Sequence, residues 1–326
     1  MRSSLKKAVM AVTSACLCAA AFPTMAQSYP VKPIRMLMPI PAGSLTDVVG
    51  RALATSLGPV FGVPIPAENR AGANGTIGMA QCAKAAPDGY TICMTDGNIM
   101  TVNYHAYGNL SYDPKAFVPV AHLADLEVSF VVQSTLPIHN LKELIAYCKQ
   151  RPGIFKWGSF GSGSTPHMYL EWFQAKTGIS VNHIPYKGPA QLQLAMVAGE
   201  IDATNMGPAN IERYQAQGKV RMIAVAAGKK RSRFLGNTPS FQQQGFDIDF
   251  RNWLAIVFPP KTPTELAQRW NTEINKLLND PAWVSKIMEP AALAPTGGSI
   301  EDFKRILAEK TILGEQLAKI ANLRPR

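Results

Sequence analysis

Ile34-Arg35-Met36-Leu37-Met38-Pro39-Ile40-Pro41-Ala42-Gly43-Ser44-Leu45-Thr46-Asp47-Val48-Val49 is the stretch that decides the fold. Its first five residues form a short, mostly apolar run, the length and character of a buried parallel strand. The Pro- and Gly-bearing segment after it suits neither a strand nor a helix interior. From Leu45 onward, apolar residues recur at Val48, Val49, Ala52, Leu53 and Leu57 and stop at Gly58, which is the spacing of one helix face. Strand, Gly-containing loop and helix therefore follow one another directly.

The same unit recurs along the chain. Val63–Ala67 reads as a second strand, and Gly72-Ala73-Asn74-Gly75-Thr76 leads into a helix through Lys84. Pro87-Asp88-Gly89 is a turn before a strand over Tyr90–Met94. Phe117–Val132 reads as one or two strands, an extended crossover. Asn140 with Glu143 three residues later is a capping box, ahead of the stripe Leu141, Leu144, Ile145, Cys148. Lys156–Ser159 is a strand followed by Gly161-Ser162-Gly163-Ser164-Thr165-Pro166. A helix bearing Tyr169, Trp172 and Phe173 then ends before Gly178. Val181–Ile184, the helix between Pro185-Tyr186-Lys187-Gly188 and Gly199, Ile201–Thr204, a helix around Ala209–Gln217, and Val220–Ala226 continue the alternation. Trp253–Phe258 is a late strand. Thr262-Pro263-Thr264-Glu265 reads as a capping box with Pro at the first helical position. A last helix starts at Ser299 and is lined by Phe303, Ile306, Leu307, Leu313, Leu317 and Ile320. No repeat of fixed period and no low-complexity linker interrupts this. Regular alternation predicts an α/β fold with parallel sheets.

At 326 residues the chain is long enough for two domains, and 47% apolar residues exclude a disordered protein. The N-terminus assigns the compartment. Arg2, Lys6 and Lys7 precede a small, apolar stretch from Ala8 to Phe22, and Thr24-Met25-Ala26 forms a small-x-small cleavage site before Gln27. Residues 1–26 thus read as a secretory signal. The formal net charge is +11, and removing those three cations leaves 30 cations against 22 anions, or +8. An exported protein meets little nucleic acid, so this excess points to anionic small molecules or surfaces. No other apolar run reaches the roughly 18 residues of a membrane span.

The five cysteines are too few for a disulfide scaffold. Cys148 falls on an apolar helix stripe as core filler. Cys82 and Cys93 can each be apolar filler or can pair with one another in an oxidising compartment. The five histidines are scattered, with no H-E-x-x-H, so no metal site is assigned.

Ligands in open α/β sheets sit beyond the carboxyl ends of the strands, where helix N-termini offer free N–H groups and partial positive charge. Two loops here are suited to that role: Ala42-Gly43-Ser44 with Thr46 and Asp47, and Gly161-Ser162-Gly163-Ser164-Thr165. Glycine lets the backbone approach an anion closely and the hydroxyls add donors, which fits a carboxylate or phosphate. Tyr186-Lys187-Gly188 can add to the rim. Enzyme signatures fail: Gly161-x-Gly163 has Pro166 where a dinucleotide loop needs Gly, and no Walker loop or G-x-S-x-G occurs. Ser164 and His167 lie within one helix turn, and Pro166 explains their geometry structurally. No cofactor is expected. Lys229-Lys230-Arg231-Ser232-Arg233 reads as a solvated surface turn.

Eight segments in order carry a family resemblance: Tyr29-Pro30-x-Lys32-Pro33-Ile34-Arg35; Pro41-Ala42-Gly43-x-x-x-Asp47; Glu68-Asn69-Arg70-Ala71-Gly72-Ala73-x-Gly75-x-Ile77-Gly78; Ala85-x-Pro87-Asp88-Gly89-Tyr90-Thr91; Tyr112-Asp113-Pro114; Ser159-x-Gly161-x-Gly163-Ser164-x-x-His167; His183-x-Pro185-Tyr186-Lys187-Gly188; and Gly199-x-Ile201-Asp202. The chain resembles the Bug (TctC) family, the periplasmic receptors of tripartite tricarboxylate transporters.

The resemblance implies a bilobed, periplasmic-binding-protein-like (type II) α/β fold: two parallel or mixed sheet domains with a hinge. Residues 27–124 plus 248–326 would form one lobe and 125–247 the other, with crossings near 120–128 and 240–252. It implies a solute-binding protein, not an enzyme, that captures an organic carboxylate in the periplasm as a monomer and delivers it to small and large integral-membrane subunits. Ligand-sensing on behalf of a signalling partner is the alternative, and a secreted hydrolase a weaker one. One ligand carboxylate maps onto Ala42, Gly43, Ser44, Thr46 and Asp47 and onto Gly161, Ser162, Gly163, Ser164, Thr165 and His167, with Asp202 as a looser candidate. The far end of the ligand maps onto Thr95, Asp96 and Asn98. The family's usual Pro-Phe-Pro-Ala-Gly-Gly reads Pro39-Ile40-Pro41-Ala42-Gly43-Ser44 here, which alters the pocket wall and adds a hydroxyl.

Overall fold

The computed structural model describes residues 29–107, 109–226, 233–248 and 250–323. The expected signal and most of the basic run at 229–233 lie outside the described residues. In chain order the main elements are β1 (Arg35–Met38), α1 (Leu45–Phe61), β2 (Ala67–Asn69), α2 (Thr76–Ala83), β3 (Thr91–Asp96), α3 (Gly97–Thr101), β4 (Val118–Leu126) and β5 (Val128–Gln133). Then follow α4 (Leu141–Gln150), β6 (Lys156–Ser159), α5 (Thr165–Thr177), β7 (Asn182–Pro185), α6 (Pro189–Ala198), β8 (Ala203–Met206), α7 (Pro208–Ala216) and β9 (Val220–Ala226). The chain closes with β10 (Trp253–Phe258), α8 (Thr264–Leu278), β11 (Leu293–Pro295) and α9 (Ile300–Ile320).

Two sheets result. The first has the order β11-β4-β10-β3-β1-β2 and the second β7-β6-β8-β5-β9. Within each, three consecutive strands pair in parallel: β2, β1 and β3 in one, β7, β6 and β8 in the other. Next to the third lies one antiparallel strand, β10 or β5, and beyond it β4 or β9. The core of each sheet is thus the same pattern, second–first–third–inserted–fourth. The alternation of strand and helix predicts parallel sheets; the structure makes them mixed. The reason is that β5 and β10 arrive directly from the opposite sheet, without the helical crossover that parallel neighbours need.

The passages between sheets are short. β4 ends at Leu126 in the first sheet and β5 begins at Val128 in the second, so only Glu127 separates them. On the return, Ile248 and Phe250 pack with the second sheet's core, whereas Trp253 packs with the first. The two passages are tied together by Leu126 N–H donating to Asn252 O at 2.8 Å and by Arg251 Nη1 at 2.7 Å from Asp125 Oδ2. α9 is a third link: Phe303 near its start sits in the first core, and Leu317 and Ala318 near its end sit in the second.

Three local expectations shift. The second strand is Ala67–Asn69 rather than Val63–Ala67, because Pro64 and Pro66 have no N–H and serve only as acceptors, for Ile34 and Met36. Thr262 does not cap α8; its hydroxyl donates to Pro259 O, and the helix begins after Pro263. Glu143 reaches back to the N–H of His139 as well as to the Asn140 side chain, one position beyond the usual box. Cys82 on α2 and Cys93 on β3 are joined as a disulfide.

Candidate ligand-binding site

The loops after β1 and β6 leave equivalent strands and are near-copies in conformation. Gly43 has φ +76° and Gly163 φ +79°, a left-handed backbone that glycine tolerates. Each is followed by a serine at the helix N-cap position, Ser44 at φ −70°, ψ 160° and Ser164 at φ −69°, ψ 155°. Four residues after each glycine, a side chain folds back to accept the glycine N–H. Asp47 Oδ2 takes the Gly43 N–H at 2.8 Å, and His167 Nδ1 takes that of Gly163 at 3.3 Å. The chain has used one loop design twice, with an acid in one and an imidazole in the other.

Asp47 is built into this scaffold. Its other oxygen accepts from Asn69 Nδ2 at 2.9 Å and Arg51 Nε at 3.0 Å. Burial is the largest single influence on it and pushes its carboxyl up. The donors Gly43, Asn69 and Arg51, with the Arg51 charge, reverse this and hold it below the ordinary range. Both Asp47 oxygens are thus engaged by donors of the protein, which makes the residue a support of the loop. The Gly43 N–H is engaged as well. Ser44 Oγ accepts from Asp47 N–H at 3.3 Å, and Ala42 and Gly43 stand exposed at the loop tip.

In the second loop, Ser164 Oγ donates to Gly161 O at 2.6 Å, and Gly161 N–H donates to Ser159 Oγ at 3.0 Å. Ser159 Oγ in turn lies 2.6 Å from His183 Nε2. Burial pushes the His183 imidazole down, which keeps it neutral and able to accept the serine proton. Ser162 sits half-buried between the two glycines. Helix geometry leaves the N–H groups of Leu45 and Thr46 on α1 and of Thr165 on α5 pointing past the helix ends. None of the three has an acceptor among the described residues. They are the donors available to an anion, and Thr46 and Thr165 add hydroxyls.

The two loops belong to one cleft. β3 is the parallel neighbour of β1, about 5 Å away in the sheet. From the first turn of α3, just beyond β3, Asn98 Nδ2 donates to Thr165 Oγ1 of the other lobe at 2.8 Å, in a buried bond. The carboxyl ends of the two sheets therefore face each other. Asp96 caps α3 by accepting the Ile99 N–H at 3.1 Å, and burial pushes its carboxyl up. Thr95 lies on the last turn of β3, fully buried.

Asp202 is not part of this constellation. It precedes β8, and its carboxylate accepts the N–H of Lys156, the first residue of β6, at 2.7 Å. That is the amino end of both strands, the far edge of the sheet from the cleft. The sequence reading did not single out Asn205, the penultimate residue of β8, which is 2% exposed and stands in the strand as Thr95 does in the other sheet. Its place two residues before Gly207-Pro208, a helix start after a parallel strand, was the available signal.

Two lobes of mixed sheet, each with an inserted antiparallel strand from the other, and facing glycine–serine loops define a solute-binding protein of the periplasmic-binding type. The profile described as "Tripartite tricarboxylate transporter family receptor" matches residues 49–323. The chain belongs to this family, TctC. It is similar to Protein BugT of Bordetella pertussis, at 33% identity over 269 residues, 81% of this chain and 82% of that one. Among solved structures it is similar to R. palustris Rpa4515 with adipate (28% identity, TM-score 0.82, covering 91% of this chain and 100% of the other). It is likewise similar to the periplasmic binding protein BugD (27% identity, TM-score 0.79, covering 91% and 100%). Among the described residues, no helix is long and apolar enough to cross a membrane.

Proposed function

We propose that this protein captures an organic carboxylate in the periplasm, between the loops Ala42–Thr46 and Gly161–Thr165, and hands it to the membrane subunits of a tripartite tricarboxylate-type transporter. The observation that carries the reading is the pair of matched loops. Each ends in a glycine at positive φ and a serine at the helix N-cap position, and between them they leave the N–H groups of Leu45, Thr46 and Thr165 without acceptors among the described residues. Hydrogen bonds to a charged acceptor are each worth roughly 1.5–3 kcal/mol net. Three of them, with burial of the ligand body, reach the roughly −8 kcal/mol of micromolar affinity. No arginine is required, because backbone dipoles supply the charge complement. Asp47 and His167 act as props that hold the two glycines, and Ser159 with His183 holds the second loop. The similar R. palustris protein with adipate supports a carboxylate as the ligand class.

The test is a thermal-shift panel of mono-, di- and tricarboxylates, amino acids and benzene carboxylates on the mature protein. At about 100 times its dissociation constant a ligand adds about 2.7 kcal/mol of stability. Gly43→Leu and Gly161→Leu should abolish the shift. A Cβ at either position meets no described atom within 4 Å, so the cost to folding is backbone strain alone, about 1–2 kcal/mol. A ligand that shifts wild type and both variants equally places the site elsewhere.

A further inference from the structure

The equivalence of the two sheets extends to the strand beside each loop. Thr95 is the penultimate residue of β3 and Asn205 that of β8, the third strand of each repeated pattern, and each is followed at once by a helix start. Thr95 is 0% exposed, Asn205 2% and Asn98 5%. Among the described residues, Thr95 Oγ1, Asn98 Oδ1 and Asn205 Nδ2 have no hydrogen-bond partner. Buried polar atoms are nearly always paired, so three orphans at the facing ends of the central strands call for a partner from outside the chain. The bond from Asn98 to Thr165 fixes this group in the interface between the lobes.

The set is uncharged and mixed. A hydroxyl donates and accepts, a carbonyl oxygen accepts, and an amide nitrogen donates. A carboxylate only accepts: it would answer Asn205 and Thr95 but set an oxygen against Asn98 Oδ1, on a segment that already carries the Asp96 carboxylate. Asp96 itself accepts the Ile99 N–H, and among the described residues no side-chain cation stands centrally to meet a second ligand charge. The loops after the six parallel strands hold two cations, Arg70 and Lys187, and both follow the edge strands β2 and β7. Arg70 is already paired with Glu68.

We propose that the ligand carries a single carboxylate and that its far end is an uncharged group offering both a donor and an acceptor, a carboxamide or a hydroxyl, read by Thr95, Asn98 and Asn205. This rests on the carboxylate reading above and narrows it. It separates this chain from the similar R. palustris protein, whose adipate is a diacid.

Isothermal titration of the mature protein with succinate, glutarate and adipate, each beside its half-amide, its ω-hydroxy acid and the alkanoate of equal length, tests it. At the best-fitting length the half-amide or the hydroxy acid should bind at least about tenfold more tightly than both the diacid and the alkanoate. Whichever of the two wins identifies the far group. Thr95→Val, which keeps the shape, and Asn205→Leu should each remove most of that preference, lowering the affinity of the half-amide or hydroxy acid by more than that of the alkanoate. If Asn205→Leu fails to fold, Thr95→Val alone decides. A diacid or alkanoate that binds as tightly as the half-amide and the hydroxy acid overturns this inference and leaves the carboxylate reading standing. Failure of all these acids to bind overturns this inference, and failure of the wider panel above overturns the carboxylate reading with it.

Discussion

Asp47 and His167 do the same work with different chemistry. Each accepts the N–H of the glycine four residues before it, and each fixes a loop without being required to touch what the loop binds. Asp96 has a third role, capping α3 while burial pushes its carboxyl up. The sign of its contribution follows. An acid whose folded pKa is raised favours the protonated folded state. That contribution is complete below the unfolded value of about 3.9 and is lost as pH rises through the folded one. Asp96→Asn keeps a capping oxygen and removes the buried charge. It should raise the melting temperature at neutral pH and change it little near pH 4. Melting curves at both values check this; a lower melting temperature at neutral pH contradicts it. Residue identity was legible in the sequence, but orientation was not. Asp47 read as a ligand candidate from its place in a Gly-bearing loop, and Asp202 as a looser one from the family resemblance. The first is held by Gly43, Asn69 and Arg51. The second lies at the wrong end of its strand, which runs Ala203–Met206 rather than Ile201–Thr204.

The elements themselves were mostly legible, because the apolar spacing of α1, α5 and β6 is unambiguous. The failures have named causes. Prolines removed donors from 63–67, and a threonine found a carbonyl of its own rather than a helix end to cap. α9 is the instructive case. Its stripe reads as one long helix without saying what it packs on; its 21 residues span roughly 30 Å and reach both cores. Midway, Gly314 lets α9 approach α3. A Cβ there would stand 2.7 Å from Thr101 O, a backbone atom that cannot move aside cheaply. Gly314→Val should therefore cost about 1–3 kcal/mol in urea unfolding. An unchanged denaturation midpoint would mean that the helix can back away from α3 and that the close approach is not needed.

At the scale of the molecule, one strand pattern occurs twice and each copy is completed by a strand that crosses from the other. Alternation of strand and helix pointed to α/β, but the antiparallel insertions are a property of the crossings, and no local periodicity encodes them. The crossings at Glu127 and Asn252, the Asp125–Arg251 pair beside them and the span of α9 leave the two loops facing across one cleft. The central claim is that a ligand carboxylate lies between those loops. Its most direct test is a crystal structure of the mature protein saturated with its tightest-binding acid. The account predicts carboxylate oxygens about 3 Å from the N–H groups of Leu45 or Thr46 and of Thr165. A carboxylate bound by side-chain cations away from both helix starts would contradict it.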